Sequence, residues 1–177
     1  MKQSFAIPVA APQVRKLQDP TNDKIARTVG YCAFEHLPFS VPYDPNPRKP
    51  TEKSLRSTIA DDIRKTARES RGQFHLINGG IYLLADSVEY NNDKRLLTFT
   101  LDTDLGQGLY NGGHTLKIIE ELVADGFLQD SDLKRRQYCN FDIQVNVPRQ
   151  DLKDIAEGRN TTAVSYTHLT LPTILRV

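Results

Sequence analysis

Asp102-Thr-Asp-Leu-Gly-Gln-Gly-Leu-Tyr-Asn-Gly-Gly-His-Thr115, with the apolar run Leu116–Val123 behind it, is the stretch on which the fold turns. Its glycines, Gly106, Gly108, Gly112 and Gly113, lie between a strand-like segment, Arg95–Leu101, and a helix-like one, His114–Ala124. Leu116, Ile119, Leu122 and Val123 share one face of that helix, and Gly126 closes it. A glycine-rich strand-to-helix joint lets the backbone approach a ligand, with the free N–H groups of the helix start turned toward it.

Upstream, Phe74–Ile77 and Ile81–Ala85 read as strands joined by Asn78-Gly79-Gly80, a hairpin signal. Asn91–Lys94 is a second turn. Before these, Leu55, Ile59, Ile63 and Ala67 recur every four residues. That spacing predicts a helix from Thr51 or Glu52 to Ser70, capped by Gly72. Prolines at 38, 42, 45, 47 and 50 predict an extended, surface-following connection over Leu37–Pro50. Residues 1–30 are weakly patterned, with a turn cluster at Asp19–Asp23 and a short strand over Val29–Phe34. Downstream, Asp130–Gln137 reads as a charged linker. Phe141, Ile143, Val145 and Val147 then alternate with Asp142, Gln144 and Asn146 in a half-buried strand that Pro148 stops. Gln150–Glu157 predicts a short helix ended by Gly158. The order predicts an α+β (mixed α/β) fold, a small sheet with a hairpin and flanking helices.

At 177 residues the chain can bury a real core, and its 38% apolar and 25% charged composition is that of a polar globular protein. A net charge of +1 is not the footprint of a strong nucleic-acid binder, although a local patch can hide within a neutral total. Cys32 and Cys139 have no metal spacing and read as reduced, buried thiols. The N-terminus is too broken by Pro8 and Pro12 for a signal peptide, and no apolar run is long enough to span a membrane. The expected location is cytoplasmic, with no membrane partner.

Asn111-Gly-Gly-His-Thr115 has two readings. It is a ligand loop, with His114 or Thr115 adding a hydrogen bond, or a tight turn with His114 as a cap. Neither a phosphate-binding P-loop nor a dinucleotide fingerprint fits the spacing. Asp102 and Asp104 are candidate cation ligands or simply exposed loop acids. No His–carboxylate set has metal spacing, so no metal site and no cofactor is assigned. His75 reads as a structural mid-strand histidine, and Lys134-Arg-Arg136 as a solvated basic triplet.

Val164–Thr173 resembles an in-frame translation of a transposase-based sequencing-library adapter. On that reading the native sequence stops near Thr162 and the chain is a truncated fragment. Its parts are then an N-terminal segment 1–36, a core 37–162 and an artefact tail 163–177.

Within 40–162, several short motifs occur in a telling order. They are Asn46-Pro-Arg48, the amphipathic helix, Phe74…Asn78-Gly-Gly-Ile81, Asn111-Gly-Gly-His-Thr115 and Arg159-Asn-Thr-Thr162. Together they resemble the AIPR family, named for abortive infection and phage resistance. The departures are Gly79, where the family has Asn or Arg, and His114, where Gln is commoner. A more distant likeness is to ParB-like partition proteins, in which a strand–turn–helix joint lies beside a nucleotide phosphate. The arginine expected there is Thr115 here. The resemblance implies a bacterial anti-phage protein that binds a nucleotide or nucleic-acid phosphate. Arg48, Asn78, Asn111, Gly112, Gly113, His114, Thr115, Arg159 and Asn160 would line one cleft. Two alternatives stand beside it. One is a metal-dependent nuclease or nucleotide-hydrolysing effector using Asp102, Asp104 and His114. The other is a non-catalytic interaction or sensor domain.

Overall fold

The computed structural model describes residues 1–70, 72–127 and 136–161. The chain runs β1 (Lys2–Pro8), β2 (Val14–Gln18), β3 (Ala26–Ala33), α1 (Thr58–Glu69), α2 (Phe74–Ile77) and β4 (Ile81–Ala85). It continues through β5 (Ser87–Asn91), β6 (Leu96–Asp102), β7 (Gly108–Asn111), α3 (Gly113–Ala124), β8 (Tyr138–Val145) and α4 (Leu152–Thr161). This is the expected α+β class. Strands β1, β6 and β5 form an antiparallel sheet in that order. A five-stranded sheet has the order β2-β3-β8-β4-β7, and its β4–β8 pair is parallel. The chain crosses between the sheets at Asp86, whose carboxylate binds Lys2 Nζ at 2.7 Å.

Several elements differ from the sequence expectation. Residues 1–30 are not irregular but supply β1, β2 and most of β3. Strand β1 alternates, but only Phe5 and Ile7 are apolar on its inward side, and its partner carries more of the apolar face. Leu97, Phe99 and Leu101 of β6 alternate inward, and β1 adds Ile7 and a Phe5 ring stacked 5.3 Å from Phe99. Second, Phe74–Ile77 is a helical turn, not a strand. Phe74 drives into the core, edge-on to Phe34 at 5.0 Å, while Leu76 and Ile77 remain 69% and 63% exposed. A run of four apolar residues does not distinguish the two periods. Asn78–Gly80 is therefore no hairpin turn, since β4 pairs with β7 and β8. Third, the proline-rich connection does not follow the surface. Leu37, Val41 and Asn46 are buried, and the Pro42 carbonyl accepts the Leu109 N–H of β7 at 2.8 Å.

The inward face expected around α1 holds for Leu55, Ile63 and Ala67 and departs at Ile59. Ser57 is extended and caps the helix through its hydroxyl, which accepts from the Ala60 N–H at 3.4 Å. Leu55 falls in a short 3-10 turn before this break, so Ala60 and Ala67 point inward and Ile59 is 67% exposed. Helix α4 continues through Gly158, where a stop was expected. The Gly108–Asn111 segment, read as loop, is β7, with Leu109 and Tyr110 fully buried. Strand β6, the turn before it, β4 and α3 lie where the sequence puts them. Most of the expected 130–137 linker lies outside the described residues, as does the 163–177 tail.

The five-stranded sheet has two unlike faces, as strand alternation requires. Cys32, Cys139, Phe141, Ile143, Ile81 and Leu83 join the main core with Leu116, Ile119, Leu97 and Phe99. Cys32 and Cys139 are direct cross-strand partners, both free and buried. Burial pushes the Cys32 thiol up to about 12 and Cys139 well above its usual value. The other face carries Leu84 and Tyr110, against which Ile155 of α4 packs, and beyond them polar side chains.

Candidate functional site

The two Asn-Gly-Gly segments meet back to back at the start of α3. Gly112 is the residue before the helix, with φ +82°, a conformation that favours glycine. A Cβ there would collide with the Gly80 carbonyl and approach Ile81 Cα at 2.9 Å. A Cβ on Gly113 would come 2.8 Å from Asn46 Nδ2 and 3.1 Å from Pro50 Cδ. Asn46, Gly80 and the Gly112–Gly113 pair thus come together at the start of α3.

The asparagines hold this junction mainly through main-chain hydrogen bonds. Asn78 Oδ1 accepts from Gly80 N at 2.8 Å and from Thr115 Oγ1 at 3.2 Å. Asn111 Oδ1 accepts from Gly112 N at 2.6 Å, and Asn46 Oδ1 from Arg48 N at 2.8 Å. Such side-chain–backbone turns fix loops that lack a ladder of their own. Asn140 on β8 completes the junction, donating Nδ2 to the carbonyls of His75 (2.8 Å) and Asn78 (3.0 Å). The sequence reading placed position 140 outside the alternating strand. Its role depends on strand adjacency, which no local pattern encodes. His75 is half-buried in α2, against Tyr31 and Tyr138.

His114 is the side chain at this junction with chemistry to offer. Its Nε2 lies 2.8 Å from Ser54 Oγ, and the Ser54 hydroxyl donates to the Thr51 carbonyl at 3.0 Å. With that proton engaged, Nε2–H is assigned as the donor to Ser54, which leaves Nδ1 an acceptor while the ring is neutral. Desolvation lowers the His114 pKa, because partial burial disfavours the charged ring. Ser54 was not singled out from the sequence, although Thr51-x-x-Ser54 ahead of a helix is a capping-type signal. In the segment that carries Ser54, Arg48, Lys49, Lys53 and Arg56 are exposed, as is Glu52, and Lys49 reaches Asp44 at 3.0 Å. Residues 48–56 are therefore locally basic in a chain of nearly zero net charge.

The remaining candidates lie elsewhere. Asp102 caps the turn after β6, and both it and Asp104 engage the N-terminal ammonium of Met1. That contact and the Asp104 N–H hold the Asp102 carboxyl below its ordinary range. Among the described residues, no three His, Cys, Asp or Glu side chains are grouped to hold a metal ion. Arg159 and Asn160 fall in the backbone of α4, and their side chains lie outside the described residues. Helix α4 packs on the sheet face opposite α3. Among the described residues no helix is long and apolar enough to cross a membrane.

Set against known proteins, residues 43–168 match the family model described as AIPR protein. The match continues past Thr162 into the adapter-like segment. No curated protein and no solved structure matches the chain.

Proposed function

The chain belongs to the AIPR family, an anti-phage defence-associated family, and from that premise we propose that it binds a nucleotide or nucleic-acid phosphate at the α3 junction. The supporting observation is the placement of His114. It sits at a helix start, bonded to Ser54 of a segment whose exposed charged side chains are mostly basic. On this reading the roles divide. Gly80, Gly112 and Gly113 close the junction by backbone packing, and His114, Arg48, Lys53 and Arg56 meet the phosphate. Neutral His114 presents an Nδ1 lone pair to an anion, whereas the protonated ring presents a donor.

Titration of the full chain with a short single-stranded DNA, a short RNA and nucleoside triphosphates tests this. Binding should weaken with salt and strengthen as pH falls below the usual histidine range. Lys53→Glu with Arg56→Glu should weaken it at least about tenfold, the scale of two lost charge-assisted contacts. Absence of binding to all three probes rejects the reading.

One observation supports a second reading, a non-catalytic interaction or sensor domain. Gly80, Gly112 and Gly113 are accounted for by close packing. That reading expects phage protection to survive His114→Ala, and the phosphate reading expects it to be lost.

A further inference from the structure

The sheet face turned away from α1 and α3 holds a pocket of about 410 Å³, within the roughly 300–1,000 Å³ range of small-ligand sites. Strand register lays it out in two rows. In one, Tyr31 of β3 pairs with Asn140 of β8, beside Gly79. In the other, Arg15, Val29, Asp142 and Tyr82 lie side by side across β2, β3, β8 and β4.

The charges decide what the pocket accepts. Its one acid, Asp142, is clamped by Arg27, with Nε at 2.9 and 2.8 Å from the two carboxylate oxygens and Nη2 at 2.5 Å. Arg15 remains at the rim, its guanidinium anchored to the Ala11 and Val14 carbonyls, both at 2.7 Å. The lining therefore carries a net positive charge and favours an anion. Tyr31 is 42% exposed and is braced edge-on by His75 at 5.0 Å, which fixes an aromatic surface in the pocket wall. Asn140 lies beside Tyr31 in the pocket wall and is held by its two Nδ2 bonds.

An anion joined to a flat ring within this volume describes one chemical class. We propose that the pocket binds a nucleoside monophosphate, with its phosphate at Arg15 and its base against Tyr31. Base–aromatic stacking and arginine–phosphate pairing are the interactions that such groups make. The pocket shares Gly79 and Asn140 with the edge of the α3 junction but opens on the sheet face away from His114, and it does not depend on the phosphate reading given there.

Calorimetric titration of the full chain with AMP, GMP, CMP and UMP tests the assignment, with orthophosphate and the matching nucleosides as separate arms. At least one monophosphate should bind, and more tightly than orthophosphate or its own nucleoside. Arg15→Gln and Tyr31→Ala should each weaken it about tenfold, while Tyr31→Phe retains affinity. Both positions are exposed, so the variants should keep the circular dichroism of the parent. His114→Ala should leave this affinity unchanged, which separates this site from the junction. Three results overturn the proposal: no binding by any monophosphate, equal binding by orthophosphate, or affinities unmoved by Arg15→Gln and Tyr31→Ala.

Discussion

Phe141 and Asp142 are neighbours on β8, yet they face two differently built sides of one sheet. Phe141 is 1% exposed among Ile81, Cys32 and Leu116, where only shape and apolar area matter. Asp142 is 4% exposed and holds Arg27 on a face that helices cover only in part. One face is closed by packing, while the other keeps its polar side chains ordered by pairing them. A sheet side left uncovered but pre-ordered is where recognition can be built without weakening the core.

The contrast can be broken by substitution. Phe141→Ala should cost the most, about 3–5 kcal/mol by urea unfolding, because a ring leaves a filled core. Asp142→Ala, one residue on, should cost less, about 1–3 kcal/mol. It strips a partner from Arg27, whose side chain is 42% exposed and can turn to water. If Asp142→Ala matched or exceeded Phe141→Ala, the polar face would be a core in its own right. Tyr31→Ala should change stability by no more than about 0.5 kcal/mol, so that any loss of ligand affinity is not a folding effect. The smallest effect belongs to His114. Its lowered folded pKa means that the unfolded chain binds the proton more readily. Stability from this group is therefore present above the unfolded histidine pKa and declines as pH falls through the lower folded value. His114→Asn should flatten that part of the stability–pH curve, measured by thermal unfolding across mildly acidic pH.

These contrasts also show which parts of the molecule were legible in the sequence. Helix α3 and strands β4, β6 and β8 announce themselves because each carries its own apolar period. Strand β1 does not, because its alternation rests on Phe5 and Ile7 alone and is too short to stand out. Phe74–Ile77 is too short for its period to be read, and that error turned a junction loop into a hairpin. At the site, Asn46-Pro-Arg48, Asn78–Gly80 and Asn111–Thr115 were tied together by a family resemblance that rests on their order and spacing along the chain. Ser54 and Asn140 escaped notice because a serine before a helix and an asparagine at a strand start are ordinary. Only register and packing set Ser54 on His114 and Asn140 beneath Asn78. The pocket on the open face was not legible at all, since Arg15, Tyr31 and Tyr82 come together only through strand order.

The central position of β8 sets a timetable for making the protein. Its neighbours, β3 and β4, are complete long before residues 138–145 leave the ribosome, and β8 must lie antiparallel to one and parallel to the other. Until then the β2–β3 and β4–β7 pairs each present an unfinished edge, open to wrong partners. Such long-range closure is slow, so folding should wait on one late insertion, with chaperone dependence concentrated in that interval.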